Sequence, residues 1–393
     1  MIQITEPAKK VDKRLVPFAL GFRPFFSLAG IAAVVLLGYW LIVFSRGLQV
    51  SEHLPAVYWH SHEMVFGYSA AVIAGFLLTA VRNWTSIMTL NGKPLLLLVL
   101  VWLLARILPF TSAELLWFSV VDMLFLPLLA VAIAYPLLKV KQWQNIIFVG
   151  LLLVYALANG LFHAELLFNL EGGEETGIHA GLAVVIMIIT IMAGRVVGFF
   201  IERGIGDKVK RYPLAEQLAI WGSALFMLGQ FYPLENLLTV ISILAAIGHL
   251  ARLAGWYHRQ IWQAPLLWVL YVGYAWLCLG FILTGLELNK VIAETLAIHA
   301  FTTGAIGVIT IGMMARVTTG HTGREMKIHP VMSLGFVLIN LAVVVRVFLP
   351  MLLAEHYLLW IQLSGILWVL GFLLFVLVYL PMLLRPRVDG LPG

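Results

Sequence analysis

Apolar runs of roughly 17–25 residues, each long enough to cross a bilayer as a helix, succeed one another from residue 25 to residue 383. Twelve are read, at 25–45, 63–81, 95–109, 116–138, 146–168, 178–200, 214–231, 234–253, 265–286, 296–317, 331–350 and 357–383. Only Phe231-Tyr232-Pro233 divides the seventh from the eighth. The longest polar interruptions, 169–177 and 202–213, are too short for an additional domain. The pattern therefore predicts one all-α domain over 1–393, a polytopic membrane bundle of twelve transmembrane helices.

The second, sixth and tenth runs share a polar signature. Each opens on histidine and closes on arginine: His60 and His62 with Arg82, His179 with Arg195, His299 with Arg316. Helical rise puts about 24–30 Å between such ends, close to the hydrocarbon thickness of a bilayer. The residues before the arginines also resemble one another: Thr79-Ala80-Val81-Arg82, Met192-Ala193-Gly194-Arg195 and Met314-Ala315-Arg316. Weak internal similarity at this spacing suggests three four-helix units, roughly 15–140, 141–258 and 259–386, whose second helices face a shared interior. Small residues suit close packing there, among them Gly67, Ala71 and Gly75, then Gly304, Gly307 and Gly312.

Composition agrees with a membrane location, since the chain is 62% hydrophobic and 11% charged against about 25% charged in soluble domains. With the N-terminus in the cytoplasm and twelve crossings, nearly every Lys and Arg falls on the cytoplasmic face. The series runs from Lys9 and Lys10 through Arg203–Arg211 to Arg387, and both termini are then cytoplasmic. Only Arg46, Arg106, Lys290 and Arg346 break the rule. The net charge of +6 is thus a topology signal and implies no nucleic-acid partner. No apolar core of a cleavable signal is read before Pro24. The lone Cys278 excludes disulfides and thiolate clusters within one chain, so any metal must rely on histidine, methionine, carboxylate, tyrosine or backbone.

Histidine carries the candidate chemistry. His60, His62, His163, His179 and His299 fall at similar depth near one membrane face, the arrangement that a metal site in a bundle core needs. His60 and His62 point about 200° apart on a helix and should not share one ion. Glu63 and Glu165 are candidate acceptors for imidazole N–H groups. The plain alternatives are hydrogen-bonded packing residues or, beside Trp59, part of an aromatic belt. His249 and His321 form a second group toward the other face, where His258 and His329 read as ordinary loop residues. Arg82, Arg195, Arg252 and Arg316 are either interfacial anchors or partners of haem propionates or another anion. Met64, Met187, Met192, Met313 and Met314 read as gap-fillers before soft ligands. Asp122 is a proton-path residue, a cap or the partner of Arg106.

Several segments resemble the NnrS family. They are Ala19-Leu20-Gly21-Phe22-Arg23-Pro24-Phe25-Phe26, Trp59-His60-Ser61-His62-Glu63-Met64, Ala74-Gly75-Phe76-Leu77-Leu78-Thr79, His299-Ala300-Phe301-Thr302-Thr303-Gly304 and Gly320-His321-Thr322-Gly323-Arg324. The resemblance spans the chain in order. It implies a twelve-helix bacterial inner-membrane protein carrying haem (b-type, non-covalent) and copper, linked to nitric oxide, denitrification and nitrosative stress. His60, His62, His249, His299 and His321 fall in its recurring motifs. The chain departs from the family at Val196-Val197-Gly198-Phe199-Phe200, where relatives carry a proline-containing run that breaks the helix, and at Tyr271, where relatives often carry His.

Three functions follow as alternatives. One is a haem- and copper-containing protein that binds nitric oxide or turns it over as an oxidoreductase, with quinol or another donor supplying electrons. Another is a secondary transporter using a histidine proton relay and arginine anion sites. The last is a metal-storage or sensing protein. Membrane lipid surrounds the chain in every case.

Overall fold

The computed structural model describes residues 15–50, 54–232 and 234–391. Lys9, Lys10 and Pro233, used above for topology and for the seventh boundary, lie outside them. The described residues form twelve long helices and no strand. They are α1 Phe22–Ser45, α2 Ala56–Thr85, α3 Gly92–Phe110, α4 Leu115–Lys139, α5 Ile147–Phe168, α6 Gly173–Ile205, α7 Pro213–Gly229, α8 Glu235–Trp256, α9 Pro265–Leu288, α10 Glu294–His321, α11 Pro330–Leu352 and α12 Tyr357–Leu384. Eleven of these are long and apolar enough to cross a membrane; α7, with 17 residues, falls just short of that length. The protein is a multi-pass membrane protein.

The chain closes on itself, with α1 packed against α12 and successive helices mostly packed against one another. Three helices fill the middle. In their most apolar stretches α2, α6 and α10 are 83%, 72% and 78% buried, whereas no other span exceeds 61%. Lipid-facing helices must expose apolar side chains to the hydrocarbon, so this difference marks α2, α6 and α10 as the interior of the bundle. α2 and α6 begin well before the apolar runs do, at Ala56 and Gly173. Their opening histidines are therefore one or two turns inside a helix. α6 runs unbroken through Arg195 to Ile205, so no helix break follows that arginine.

α2 and α10 are irregular at the same place. Directly after His62 the backbone of α2 widens into a π-helix over Glu63–Ser69, and directly after His299 α10 does so over Ala300–Gly307. A π-turn inserts a residue into the i→i+4 ladder and rotates everything before it relative to everything after, a costly device found mostly at functional sites. α6 has none. Close neighbours fit against the widened turns: a Cβ on Gly307 would lie 2.3 Å from the Trp368 ring, and one on Gly181 of α6 would lie 2.6 Å from the Phe66 ring.

Candidate metal and ligand sites

The i, i+2 spacing sends His60 and His62 to different places. His60 enters a cavity of ≈ 370 Å³ at the end of the bundle where α2, α6 and α10 begin, together with His179 and His299. Each central helix thus contributes one histidine to one space. The His60 ring stacks on Trp40 with centroids 4.1 Å apart and planes 23° apart. His299 Nδ1 lies 2.7 Å from the Thr295 carbonyl oxygen. A carbonyl only accepts, so Nδ1 carries the proton and Nε2 keeps its lone pair. An imidazole locked in this way is the usual arrangement of a metal-binding histidine. His179 Nε2 lies 3.1 Å from Glu294 Oε1 at the cavity mouth, with Glu175 close enough to complete a three-ligand group. Arg346 of α11 also lines the cavity.

His62 turns away from this space into a compact cluster of almost wholly buried polar groups. His62 Nε2 lies 3.1 Å from Asp122 Oδ2 of α4 and 3.1 Å from Asn159 Oδ1 of α5. His163 Nε2 lies 3.0 Å from the same Asp122 oxygen, and Asn159 Nδ2 donates to it at 2.7 Å. The opposite oxygen, Oδ1, accepts from Arg106 Nη2, and Arg106 Nε lies 3.3 Å from Glu63 Oε2. Glu63 Oε1 faces His62 Nδ1 at 3.4 Å. His62, Asp122 and His163 therefore converge closely enough to ligate one ion. The cluster thus gathers two carboxylates, two imidazoles and one guanidinium in the bundle interior, where ionisable groups are costly to keep without a role.

The other candidates disperse. Both ring nitrogens of His249 are engaged, Nδ1 with the Tyr274 hydroxyl at 2.6 Å and Nε2 with Ser223 Oγ at 3.0 Å. Arg252 beside it is clamped bidentately by Glu216 at 3.0 and 2.6 Å. His321 sits at the far end of α10 with its ring 5.6 Å from Phe22. His258 and His329 cap the turns that open at Arg259 and Pro330. Glu165 caps the start of α6 by accepting the Glu174 backbone N–H at 2.7 Å, and among the described residues it makes no hydrogen bond or ion pair with a histidine. Arg195 donates to Asn145 Oδ1 at 2.7 Å, Arg316 covers the Phe200 ring at 4.0 Å, and Arg82 is half-buried at the end of α2. These arginines have separate surroundings and share no anion site among the described residues. Met64 lines the large cavity; Met192 and Met313 line a small apolar one of ≈ 70 Å³ beneath it, which Ser69 and Ile306 also border.

Asn159, Glu175, Glu294 and Thr295 carry no sequence signal that separates them from ordinary polar residues. Arg106 and Arg346 do, as charges within apolar spans that break the one-sided charge distribution.

Residues 16–387 match the NnrS protein family. The chain belongs to the NnrS family. The match takes in all twelve helices and both histidine clusters. NnrS membership makes the chain a nitric-oxide-related membrane protein in general terms, and metal or haem binding agrees with the donor groups assembled here. No curated protein matches the chain.

Proposed function

We propose that this NnrS protein holds haem and copper and binds or turns over nitric oxide, in defence against nitrosative stress or in denitrification. The observation that carries the reading is the sorting of the histidines into two spaces of different size. Haem is a large plane and needs room beside its axial imidazole. The 370 Å³ cavity, within the usual size range of cofactor sites, offers His299, His60 and His179. Thr295 leaves His299 Nε2 ready to ligate. The His62–Asp122–His163 cluster brings three ligand atoms within 4.8 Å of one another, a spacing that suits a single ion, and its two imidazoles and one carboxylate suit a first-row metal such as copper. When bound, the two metals supply the one-electron chemistry that nitric oxide undergoes. The chain's own part is to hold and orient. Glu63 and Arg106 fix Asp122 and His62, while Trp40 fixes the plane of His60.

The apolar pocket below the cavity, lined by Val72, Ile188, Met192 and Ile309, suits a small neutral ligand that arrives through the lipid. Arg195, Arg252 and Arg316 lend no support to the arginine anion sites of the transporter alternative, because each has other neighbours.

Haem and copper are to be quantified in protein purified from membranes. His299→Ala should lower haem while copper stays, and His163→Ala or Asp122→Ala should lower copper while haem stays. Wild-type protein without a Soret band, or His299→Ala with undiminished haem, sinks the assignment. A nitric oxide electrode with a chemical reductant then separates turnover from binding: a spectral shift without consumption leaves a binding protein.

A further inference from the structure

Among the described residues Arg346 is a cation without an anion. Its side chain is 6% exposed, in an apolar stretch of α11, and it lines the same cavity as His60 and His299. Its nearest hydrogen-bonding partner is the Tyr357 hydroxyl, 3.4 Å from Nη2, and Nη1 has none among the described residues. No carboxylate lies within ion-pair distance of it among the described residues, since Glu294 at the cavity mouth pairs with His179. Other buried arginines have carboxylate partners: Arg106 pairs with Asp122 and Glu63, and Arg252 with Glu216. An unpaired guanidinium at this depth is expensive to keep. The Tyr357 ring faces its guanidinium at 5.6 Å, and His60 and His299 share its cavity; a neutral ring and imidazoles supply no negative charge. The charge that balances Arg346 must therefore come from whatever occupies the cavity.

We propose that Arg346 receives a planar monoanion, a carboxylate or a small oxyanion, drawn into the cavity beside His60 and His299. A guanidinium presents parallel N–H donors that match two oxygens about a single centre, so the fork selects this class over a neutral ligand. The anion has two possible sources: a propionate of a haem seated in the cavity, or free nitrite. The proposal deepens the reading of that cavity as the ligand site and rests on it for the haem source alone.

The test uses the full chain in nanodiscs as wild type, Arg346→Gln and Arg346→Lys. Each is titrated with haem and with haem dimethyl ester, followed in the Soret region, and with sodium nitrite, followed by calorimetry. Losing a charge-assisted pair of this kind weakens affinity about ten- to a hundredfold. A loss of that size for haem in Arg346→Gln, with the dimethyl ester bound equally by all three, identifies the propionate. A loss confined to nitrite identifies the free oxyanion. Arg346→Lys should recover part of either affinity. Nitrite or haem should also raise the thermal midpoint of wild type more than that of Arg346→Gln. Haem and nitrite both bound within twofold of wild type by Arg346→Gln would overturn the proposal. Wild type that takes up no haem removes the haem reading while the nitrite arm still decides the role of Arg346.

Discussion

Arg106 stands between two carboxylates at 5% exposure, one from the π-turn of α2 and one from α4. Replacing it with methionine would leave Glu63 and Asp122 facing each other without a cation. Breaking a buried pair from one side costs about 3–5 kcal/mol, because the remaining charge stays desolvated. Arg106→Met should accordingly lower the thermal midpoint of the purified protein sharply. Arg106→Met/Glu63→Gln should regain part of the loss, with a coupling of about 1–3 kcal/mol; strictly additive effects would show that the three groups do not act as a unit. At this scale the sequence was partly readable. The i, i+2 spacing of His60 and His62 already implied different destinations, and Asp122 with Arg106 was one of three open alternatives. The partners of those destinations were not readable. Asn159 and His163 reach Asp122 only because α4 and α5 pack beside α2, and no local pattern encodes that approach.

Hydropathy located all twelve helices, since the length of an apolar run is set by the bilayer and needs no knowledge of neighbours. It placed the starts of α2 and α6 too late, because polar residues inside the bundle count against the run while a buried site keeps them helical. The π-turns had no such signal. Glu63–Ser69 and Ala300–Gly307 sit inside apolar helical runs with nothing in their spacing to mark a widening, and side chains of other helices fit closely against both. This can be tested at Gly307. Its missing Cβ leaves room for the Trp368 ring, which α12 holds by donating Nε1–H to the Ala33 carbonyl of α1 at 3.1 Å. A rigid indole anchored at its far edge has little freedom to retreat, so Gly307→Ala should cost about 1–3 kcal/mol and disturb the cavity wall that Trp368 forms. Haem content should fall along with thermal stability. Unchanged stability would mean that the π-turn of α10 adjusts freely and does not set the position of His299.

For the whole molecule the arrangement of charges and sites proposes an orientation. The large cavity and the compact cluster lie at the end where α2, α6 and α10 begin, while Arg82, Arg195, Arg252 and Arg316 lie toward the other. Counting positive charges puts that second end in the cytoplasm and the end that holds the cavity and the cluster on the opposite face. Cys278 is buried in α9, so a thiol reagent meets little background, and Cys278→Ala removes even that. On this background Glu171→Cys, in the exposed turn before α6, and Lys208→Cys, in the exposed turn after it, lie on opposite faces. A membrane-impermeant maleimide applied to intact spheroplasts should label the cysteine at 171 and reach the one at 208 only after lysis. The reverse order would invert the orientation and turn the cavity toward the cytoplasm. Labelling of both before lysis would break the helix count between them, since a single crossing by α6 cannot leave its two ends on one face.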